Sequence, residues 1–334
     1  MSVSINDLKF PYIADIPEPL KDIAEAPSIQ RLRQIGMNCG CEYTSFPVFQ
    51  RPGSYHRFDH SLGVALIVWR FTHDLRQAAA GLLHDIATPV FAHVVDFFRG
   101  DYLKQEETEA GTLDCIKSDS RLMDTLTRWH LTVDDVCDYH RYPIADNDSP
   151  RLSADRLEYT LGNILHYGFG TRDCVAEILN DLTVITAEDG QPEIGFIHRD
   201  TAVCFANLAL RCSRLYVSPE DRYSMQRLAE IIRLAFQNKV LTQDMLYLTE
   251  PEVIDRFLRD PDTSSEWLSF TRLHAVSLSD HPIEGHRSRQ ISAKKRCIDP
   301  LIKGLGRVTS VDPDYREMMS AFMNEPQTCW ISET

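Results

Sequence analysis

Apolar positions along most of the chain recur at the three- and four-residue spacing of α-helices. The segments 60–71 and 75–86 are apolar nearly all round, which predicts helices that are buried on several sides. Pro89 favours an end of the second segment at Thr88. Further helices are predicted over 28–35, 91–98, 106–117, 120–129, 132–140, 153–165, 199–216, 220–238, 242–247, 250–259 and 263–275.

One β-hairpin interrupts this helical pattern. The segments 182–186 and 193–197 flank an Asp-Gly turn signal at 189–190, and the polar stretch 279–289 is predicted to be a surface loop. No internal repeat, low-complexity segment or strong linker divides the chain. The predicted fold class is therefore all-α, as one domain over 1–334. Its helical core covers about 28–170, its helical C-terminal extension covers about 171–310, and it carries one small hairpin.

A histidine and an aspartate, His84 and Asp85, directly follow the apolar run 78–83. Burying a carboxylate is costly unless something pairs with it, and a metal ion is an economical partner. His60 begins the other strongly apolar helix, and Asp155 lies in the first turn of the helix that Ser153 is predicted to cap. Two imidazoles and two carboxylates suit divalent Mn, Fe, Co, Ni or Zn better than Ca.

The helix that carries Asp155 also places Tyr159 and Asn163 on the same face, at i+4 and i+8. Arg156 is adjacent to the aspartate, and Arg57 stands three residues before the first histidine. Two arginines beside a metal suit a phosphate ester, because guanidinium groups neutralise its oxygens as charge develops. The metal would orient or ionise the attacking water.

Each of these features has an ordinary interpretation when taken alone. A lone buried histidine is more often a hydrogen-bonded core residue, and Asp155 alone would be a charge favoured by the helix dipole. A second His-Asp dipeptide, His73-Asp74, shows that the pair also occurs by chance. Four such residues in order, each on an apolar helix, favour the metal site.

The composition limits the kinds of molecule that this protein is expected to bind. The net charge is −14, from 49 acidic and 35 basic residues, which disfavours long nucleic acid but leaves room for a small nucleotide. The nine scattered cysteines predict reduced thiols in a cytosol. The N-terminus lacks a signal-peptide pattern, and the longest apolar run, 64–69, is too short for a bilayer. We therefore expect a cytoplasmic protein without a membrane partner.

Several short motifs carry a family resemblance, and they run in order from about residue 28 to 302. They are Gln30-Arg-Leu-Arg33, Phe46-Pro47, Arg57-Phe-Asp-His-Ser-Leu-Gly-Val64, Ala80-Gly-Leu-Leu-His-Asp-Ile86, Phe91-Ala-His93, Ala154-Asp-Arg-Leu-Glu-Tyr159 and Arg296-Cys-Ile-Asp-Pro-Leu301. With these motifs the chain resembles the HD-domain metal-dependent phosphohydrolases. The most similar branch is that of the SAM-and-HD-domain protein and the bacterial dNTP triphosphohydrolases.

The resemblance implies an HD-type helical core, a homo-oligomer and a small-molecule phosphate substrate, which is expected to be a nucleotide. It implies a divalent transition metal, with Mg²⁺ as a further ion at a phosphate. It implies four metal ligands, namely His60, His84, Asp85 and Asp155. It also implies phosphate contacts from Arg57, Arg156 and Tyr159, with His93 beside the reacting phosphorus.

The chain departs from the family pattern around these ligands. Thr88 stands where the family has an active-site histidine, and Glu106 stands where a second one is expected. The run 216–219 lacks the usual His-Lys pair, and Asn163 replaces an aspartate that meets the sugar hydroxyl. The metal ligands are thus retained, whereas the triphosphate and sugar contacts are eroded. His93 or Glu106 is the predicted acid for the leaving oxygen.

Three functions compete. The first is a metal-dependent phosphohydrolase, similar to the dNTP triphosphohydrolases, that acts on a nucleotide or nucleotide-like phosphate ester. The second is a nucleotide-binding regulatory HD protein with weak or no turnover, which the lost histidines favour. The third is a di-iron oxygenase, which ranks last because Thr88 removes the most obvious additional ligand.

Overall fold

The structure is a computed structural model that describes residues 16–51, 53–99 and 111–334. Within these ranges the chain is mostly helical, and no helix is both long and apolar enough to cross a membrane. The helices that lie before the hairpin are α1 (Glu18–Ala24), α2 (Pro27–Arg31), α3 (Arg57–Thr72), α4 (Leu75–Leu83), α5 (Val94–Arg99), α6 (Thr112–Ser118), α7 (Ser120–Arg128), α8 (Val133–Val136), α9 (Ala154–His166) and α10 (Arg172–Asp181). Those that follow it are α11 (Arg199–Leu215), α12 (Pro219–Gln237), α13 (Glu250–Arg259), α14 (Pro261–Thr271), α15 (Val308–Val311) and α16 (Pro313–Asn324).

Two small sheets accompany the helices. The strands are β1 (Leu182–Thr186), β2 (Pro192–Phe196), β3 (Val276–Ser279), β4 (Ser288–Gln290), β5 (Leu301–Ile302), β6 (Gly306–Arg307) and β7 (Trp330–Glu333). They form one sheet of order β1-β2-β5-β6 and a second of order β3-β7-β4. The predicted hairpin is confirmed, because β1 and β2 pair antiparallel.

The strands also correct two predictions. The stretch 279–289, expected to be a surface loop, contributes the end of β3 and the start of β4, so the all-α class holds only approximately. Both strands are short and pair with β7 at the far end of the chain. Such pairing between distant segments leaves no local period in the sequence, which is why the polar composition favoured a loop.

Helix α3 is closely packed between α4 and α9, and glycines allow this approach. A Cβ atom at Gly63 on α3 would lie 2.6 Å from Cγ of Glu158 on α9. A Cβ atom at Gly81 on α4 would lie 3.2 Å from Cγ1 of Val64 on α3. Two glycines on facing helices therefore let three backbones approach closely where the polar side chains lie.

The start of α9 is fixed by its neighbours. Ser153 Oγ accepts a hydrogen bond from the Arg156 amide, which is the predicted N-cap. The amides of Ala154 and Asp155 donate to the carbonyls of Ile144 and Ala145, at 2.8 and 3.2 Å. The first turn of α9 is thus tied to the preceding loop, and this fixes the backbone of Asp155.

The turn that follows the His84-Asp85 pair corrects another prediction. A helix was expected over 91–98, but α5 begins only at Val94, because Phe91 and Ala92 adopt left-handed φ angles of 58° and 47°. This conformation costs about 1–2 kcal/mol per non-glycine residue. Burial of the Phe91 ring, which lies 6.3 Å from Phe257 and 6.1 Å from Trp267, offsets that strain.

Two apolar clusters form the interior of the described chain. The first surrounds α3, α4, α9 and α11, and the second is built from α12 to α14 with the segments 39–49 and 90–97. Each cluster draws on residues from both halves of the sequence. The division into a core of 28–170 and a later extension stays a prediction.

Gly40 offers a direct test of the second cluster. Its φ is +78°, and a Cβ atom there would lie 2.5 Å from Cδ2 of the fully buried Leu228. We expect Gly40→Ala to lower the free energy of unfolding by about 2–4 kcal/mol, from backbone strain and overpacking together. Urea denaturation measures this change.

The matched control is Gly304→Ala, because Gly304 has a φ of +76° with nothing within 4 Å of the added atom. Strain alone then costs about 1 kcal/mol. Equal losses for the two variants would contradict the packing of Gly40 against Leu228.

Candidate metal centre

Ligand atoms of His60, His84 and Asp155 lie within 4.8 Å of one another, and Asp85 lies beside the two histidines. His60 lies on α3, His84 and Asp85 directly follow α4, and Asp155 lies in the first turn of α9. His60 Nε2 is 3.1 Å from Asp155 Oδ1 and 3.2 Å from His84 Nε2. Asp85 Oδ2 lies 3.8 Å from His60 Nε2 and 3.6 Å from His84 Nε2. Two ligands of one metal at bond lengths of about 2.1 Å lie about 3.0–3.4 Å apart, so these separations fit a shared ion after small adjustments.

The other nitrogen of each ring decides what the Nε2 atoms present. His60 Nδ1 lies 2.5 Å from Glu158 Oε2, and His84 Nδ1 lies 2.7 Å from the Gly81 carbonyl oxygen. A carbonyl can only accept, and an ionised carboxylate also accepts, so each Nδ1 carries the hydrogen. In the neutral rings both Nε2 atoms therefore direct lone pairs toward each other and toward the carboxylate oxygens. Such a group of acceptors needs positive charge between its members, which either a proton on one ring or a bound metal ion supplies.

The pKa values of His60 and Asp155 also favour a positive charge at this position. Burial lowers the pKa of the His60 imidazole, but its hydrogen bonds to Asp155 and Glu158 outweigh this and raise it to about 10. Burial raises the pKa of the Asp155 carboxyl, but its contact with His60 lowers it to about 2. A proton on His60 thus satisfies the acceptors when no ion is bound, and the residues present fit a divalent metal.

Asp85 is held on both of its oxygens. Arg57 Nη1 donates to Oδ2 at 2.9 Å, and Thr88 Oγ1 donates to Oδ1 at 2.8 Å. Burial would raise the pKa of this carboxyl, but Arg57 and the two histidines hold it well below its usual range. Thr88, at the position where the resemblance expects a histidine, therefore orients Asp85 and has its hydroxyl proton committed to that carboxylate.

The structure brings three predicted substrate residues close to the metal centre. Arg57 is 7% exposed, and its Nε atom has no hydrogen-bond partner among the described residues. The Tyr159 ring lies 6.5 Å from His60 and 6.2 Å from Tyr216. Asn163 Nδ2 donates to the Tyr216 hydroxyl at 2.7 Å, while its buried Oδ1 lacks a partner within the described ranges. Arg57 Nε and Asn163 Oδ1 are thus two buried polar atoms of this group that have no hydrogen-bond partner within the described residues.

Arg156 is placed differently from what the sequence suggested. Its Nε donates to the Arg151 carbonyl at 2.7 Å, and its Nη2 donates to both oxygens of Asn147. Its Nη1 lies 3.3 Å from Asp146. The guanidinium therefore supports the loop before α9, and a contact with substrate phosphate stays a prediction that requires some of these bonds to be exchanged.

The two residues predicted to act as the catalytic acid are His93 and Glu106. His93 follows the strained turn at Phe91 and Ala92 and is half-buried. Glu106 lies outside the described residues. The role of either residue as an acid stays a prediction.

Glu158 is a residue of the candidate site that sequence reasoning missed. It is fully buried on α9, and its Oε2 also accepts a hydrogen bond from the Tyr55 hydroxyl at 2.6 Å. An acidic residue between Leu157 and Leu161, on a face that must be buried, was the available signal. A carboxylate that orients a histidine ligand belongs to the metal site as much as the ligand does.

No known family profile matches this chain. It is similar to an uncharacterized protein, YdhJ, of Bacillus subtilis, with 24% identity over 288 residues that cover 85% of this chain and 83% of the relative. It is also similar to a metal-dependent phosphohydrolase, cns2, of Cordyceps militaris, with 25% identity over 206 residues. That match covers 61% of this chain and 56% of the relative, so it spans little more than half of that protein. The name of the second relative agrees with the His-His-Asp cluster found here.

The contact between Glu158 and His60 yields a prediction about metal affinity. Glu158→Gln keeps the size of the side chain but removes its charge, and Gly63→Ala pushes the carboxylate away from the imidazole. We expect either change to weaken metal binding about 10–100-fold, as for other partners of ligating histidines. Metal titration of the purified variants measures the loss.

Gly170→Ala is the matched control, because it also adds a methyl group against α9 but meets Ile164 instead of Glu158. Its metal affinity should stay within about threefold of the unmodified protein, since a loss on the order of 10-fold marks a disturbed ligand partner. An equal loss in Gly170→Ala and Gly63→Ala would indicate that helix packing, rather than the carboxylate, sets the affinity.

Proposed function

We propose that this chain is an HD-type metal-dependent phosphohydrolase that hydrolyses a small-molecule phosphate ester. The observation that carries the proposal is the group of facing acceptors on His60, His84, Asp85 and Asp155, which requires a cation and lies beside the buried Arg57. The partial similarity to a protein named metal-dependent phosphohydrolase supports it.

The four acceptors would hold one divalent metal through two nitrogens and two oxygens. This mixed donor set suits Mn, Fe, Co, Ni or Zn, and Mg²⁺ is the ion to expect at a further phosphate. A metal bound there would polarise a water molecule and a phosphate oxygen. Glu158 and the Gly81 carbonyl keep both imidazoles in the tautomer that such binding needs.

Arg57 supplies the positive charge on the protein side. Its Nη1 is held by Asp85, and its Nε is buried without a partner among the described residues. A guanidinium fixed in this way can donate to phosphate oxygens without reorganising as charge develops on them. Arg57 therefore has two tasks, namely to orient a metal ligand and to stabilise the substrate anion.

The substrate that we propose is a nucleotide or a nucleotide-like ester. Tyr159 and Tyr216 offer aromatic faces near His60, and Asn163 Oδ1 is a buried acceptor that suits a substrate hydroxyl. The run 216–219 lacks the His-Lys pair that would hold a triphosphate. These features favour an ester with fewer phosphates over an ordinary dNTP.

One observation favours the second candidate, a nucleotide-binding regulatory protein with weak turnover. The Thr88 hydroxyl is committed to Asp85, so this position retains an orienting group but supplies no acid to a leaving oxygen. The two candidates differ in turnover and share the metal site, so an activity measurement distinguishes them.

The test uses protein loaded in turn with Mn²⁺, Co²⁺, Ni²⁺, Zn²⁺ and Fe²⁺, and a panel of nucleoside mono-, di- and triphosphates with simple alkyl and aryl phosphates. We expect metal-dependent release of phosphate from at least one ester. His84→Ala should lower kcat at least about 100-fold, because it removes a ligand of the ion that activates water. Phosphate release and metal content are measured on the same samples.

The control is His73→Asn, which alters the other His-Asp dipeptide. His73 is the left-handed cap that directly follows α3, and asparagine tolerates this conformation. Its activity should match that of the unmodified protein. Tight nucleotide binding without turnover by any metal form would support the regulatory candidate. Activity that survives in His84→Ala would contradict the site.

A further inference from the structure

A second histidine–carboxylate pair lies beside the metal centre. His140 Nδ1 is 2.8 Å from Asp146 Oδ2. The histidine belongs to a short 3-10 helix, Tyr139–Arg141, and the aspartate lies in the loop that leads to α9. None of the chemistry assigned above uses this pair.

Ring contacts link His140 to a proposed metal ligand. The centroid of the Tyr139 ring lies 4.8 Å from that of the His84 ring and 4.4 Å from that of the His140 ring. Tyr139 is 7% exposed, whereas the His140 side chain is 52% exposed. His140 is therefore linked through the ring of Tyr139 to the proposed ligand His84, and solvent reaches its side chain.

Asp146 is anchored to the element that carries Asp155. Its Oδ1 accepts from Ser153 Oγ at 3.3 Å and lies 3.3 Å from Arg156 Nη1, and its side chain is only 13% exposed. Ser153 is the N-cap of α9. The carboxylate that holds His140 is thus fixed to the same helix start as a proposed metal ligand, unlike the partner of an ordinary surface ion pair.

We propose that His140 is the general acid that protonates the leaving oxygen of the substrate, with Asp146 as its positioning residue; this inference rests on the proposed function. Asp146 accepts from Nδ1–H, which fixes the ring and directs Nε2 to its opposite side. A histidine held by a carboxylate beside the reacting group is a common arrangement for proton transfer. It supplies the acid that Thr88 cannot provide.

The step is balanced without any further reactant. The oxygen of water forms a bond to phosphorus, and the bond from phosphorus to the alcohol oxygen breaks, with its electron pair staying on that oxygen. The proton on His140 Nε2 passes to this oxygen and yields the alcohol. The proton lost by the attacking water restores His140 directly or through solvent, which reaches the exposed ring.

A general acid raises kcat mainly for substrates with a poor leaving group. The experiment therefore compares kcat on two esters whose leaving groups differ in quality. His140→Gln and Asp146→Asn are compared on an accepted nucleotide, whose leaving group is an alkoxide, and on p-nitrophenyl phosphate, whose phenolate leaves unaided. We expect His140→Gln to lower kcat about 100-fold on the nucleotide and less than about threefold on the aryl ester. Asp146→Asn should show the same split with a smaller loss.

The matched control is His198→Gln. His198 is also paired with an aspartate, Asp181, and its side chain is 74% exposed, but it lies at the start of α11. Its kcat should stay unchanged on both esters. Metal content is measured for every variant, and an intact metal site in His140→Gln is the expected result.

Equal losses on the two esters would overturn the inference, because they would indicate a structural role for His140. Unchanged kcat on both esters would overturn it as well and leave His93 as the acid to test. In either case an active unmodified protein keeps the proposed function. An unmodified protein that is inactive on both esters would overturn the proposed function and the acid together.

Discussion

The structure depends on four hydrogen-bond acceptors that face one another where three helical segments meet. His60 and His84 present Nε2 lone pairs because Glu158 and the Gly81 carbonyl bind the opposite nitrogens, and the two aspartates add negative charge. Without a cation this arrangement is repulsive. The close approach of α3 to α4 and α9, the buried Glu158 and the raised pKa of His60 all follow from building a receptor for positive charge inside a helical core.

Further polar groups are hydrogen-bonded to the residues of the metal centre and to the loop before α9. Arg57 and Thr88 occupy the two oxygens of Asp85, so one carboxylate is oriented from both sides. The left-handed turn that follows is strained at Phe91 and Ala92, and burial of the Phe91 ring offsets that strain. The loop before α9 fixes Asp146 and, through it, His140. Thr88 supplies an orienting hydroxyl to Asp85, and His140, the acid that we propose, is linked to His84 through the ring of Tyr139.

Much of the candidate site could be predicted from sequence because its proposed metal ligands lie in or directly after strongly apolar segments, where a polar residue demands an explanation. His60, His84, Asp85 and Asp155 could be identified in this way, and the structure brings them together. Contacts across the fold left no such signal. Arg156 turned to the loop at Asn147 because carbonyl acceptors were available there, and the pairing of β3 and β4 with the distant β7 shows no local period. The late start of α5 reflects tertiary packing of Phe91 that overrides helix propensity.

X-ray absorption spectroscopy of the metal-loaded protein tests the central claim most directly, because it reports the ligand atoms of the bound ion. The structure predicts one divalent metal per chain, with two imidazole nitrogens and oxygen ligands at about 2.0–2.2 Å. Replacing His60 or His84 should remove one imidazole from the spectrum. Sulfur ligands from any of the nine cysteines, or a spectrum without imidazole, would contradict the account.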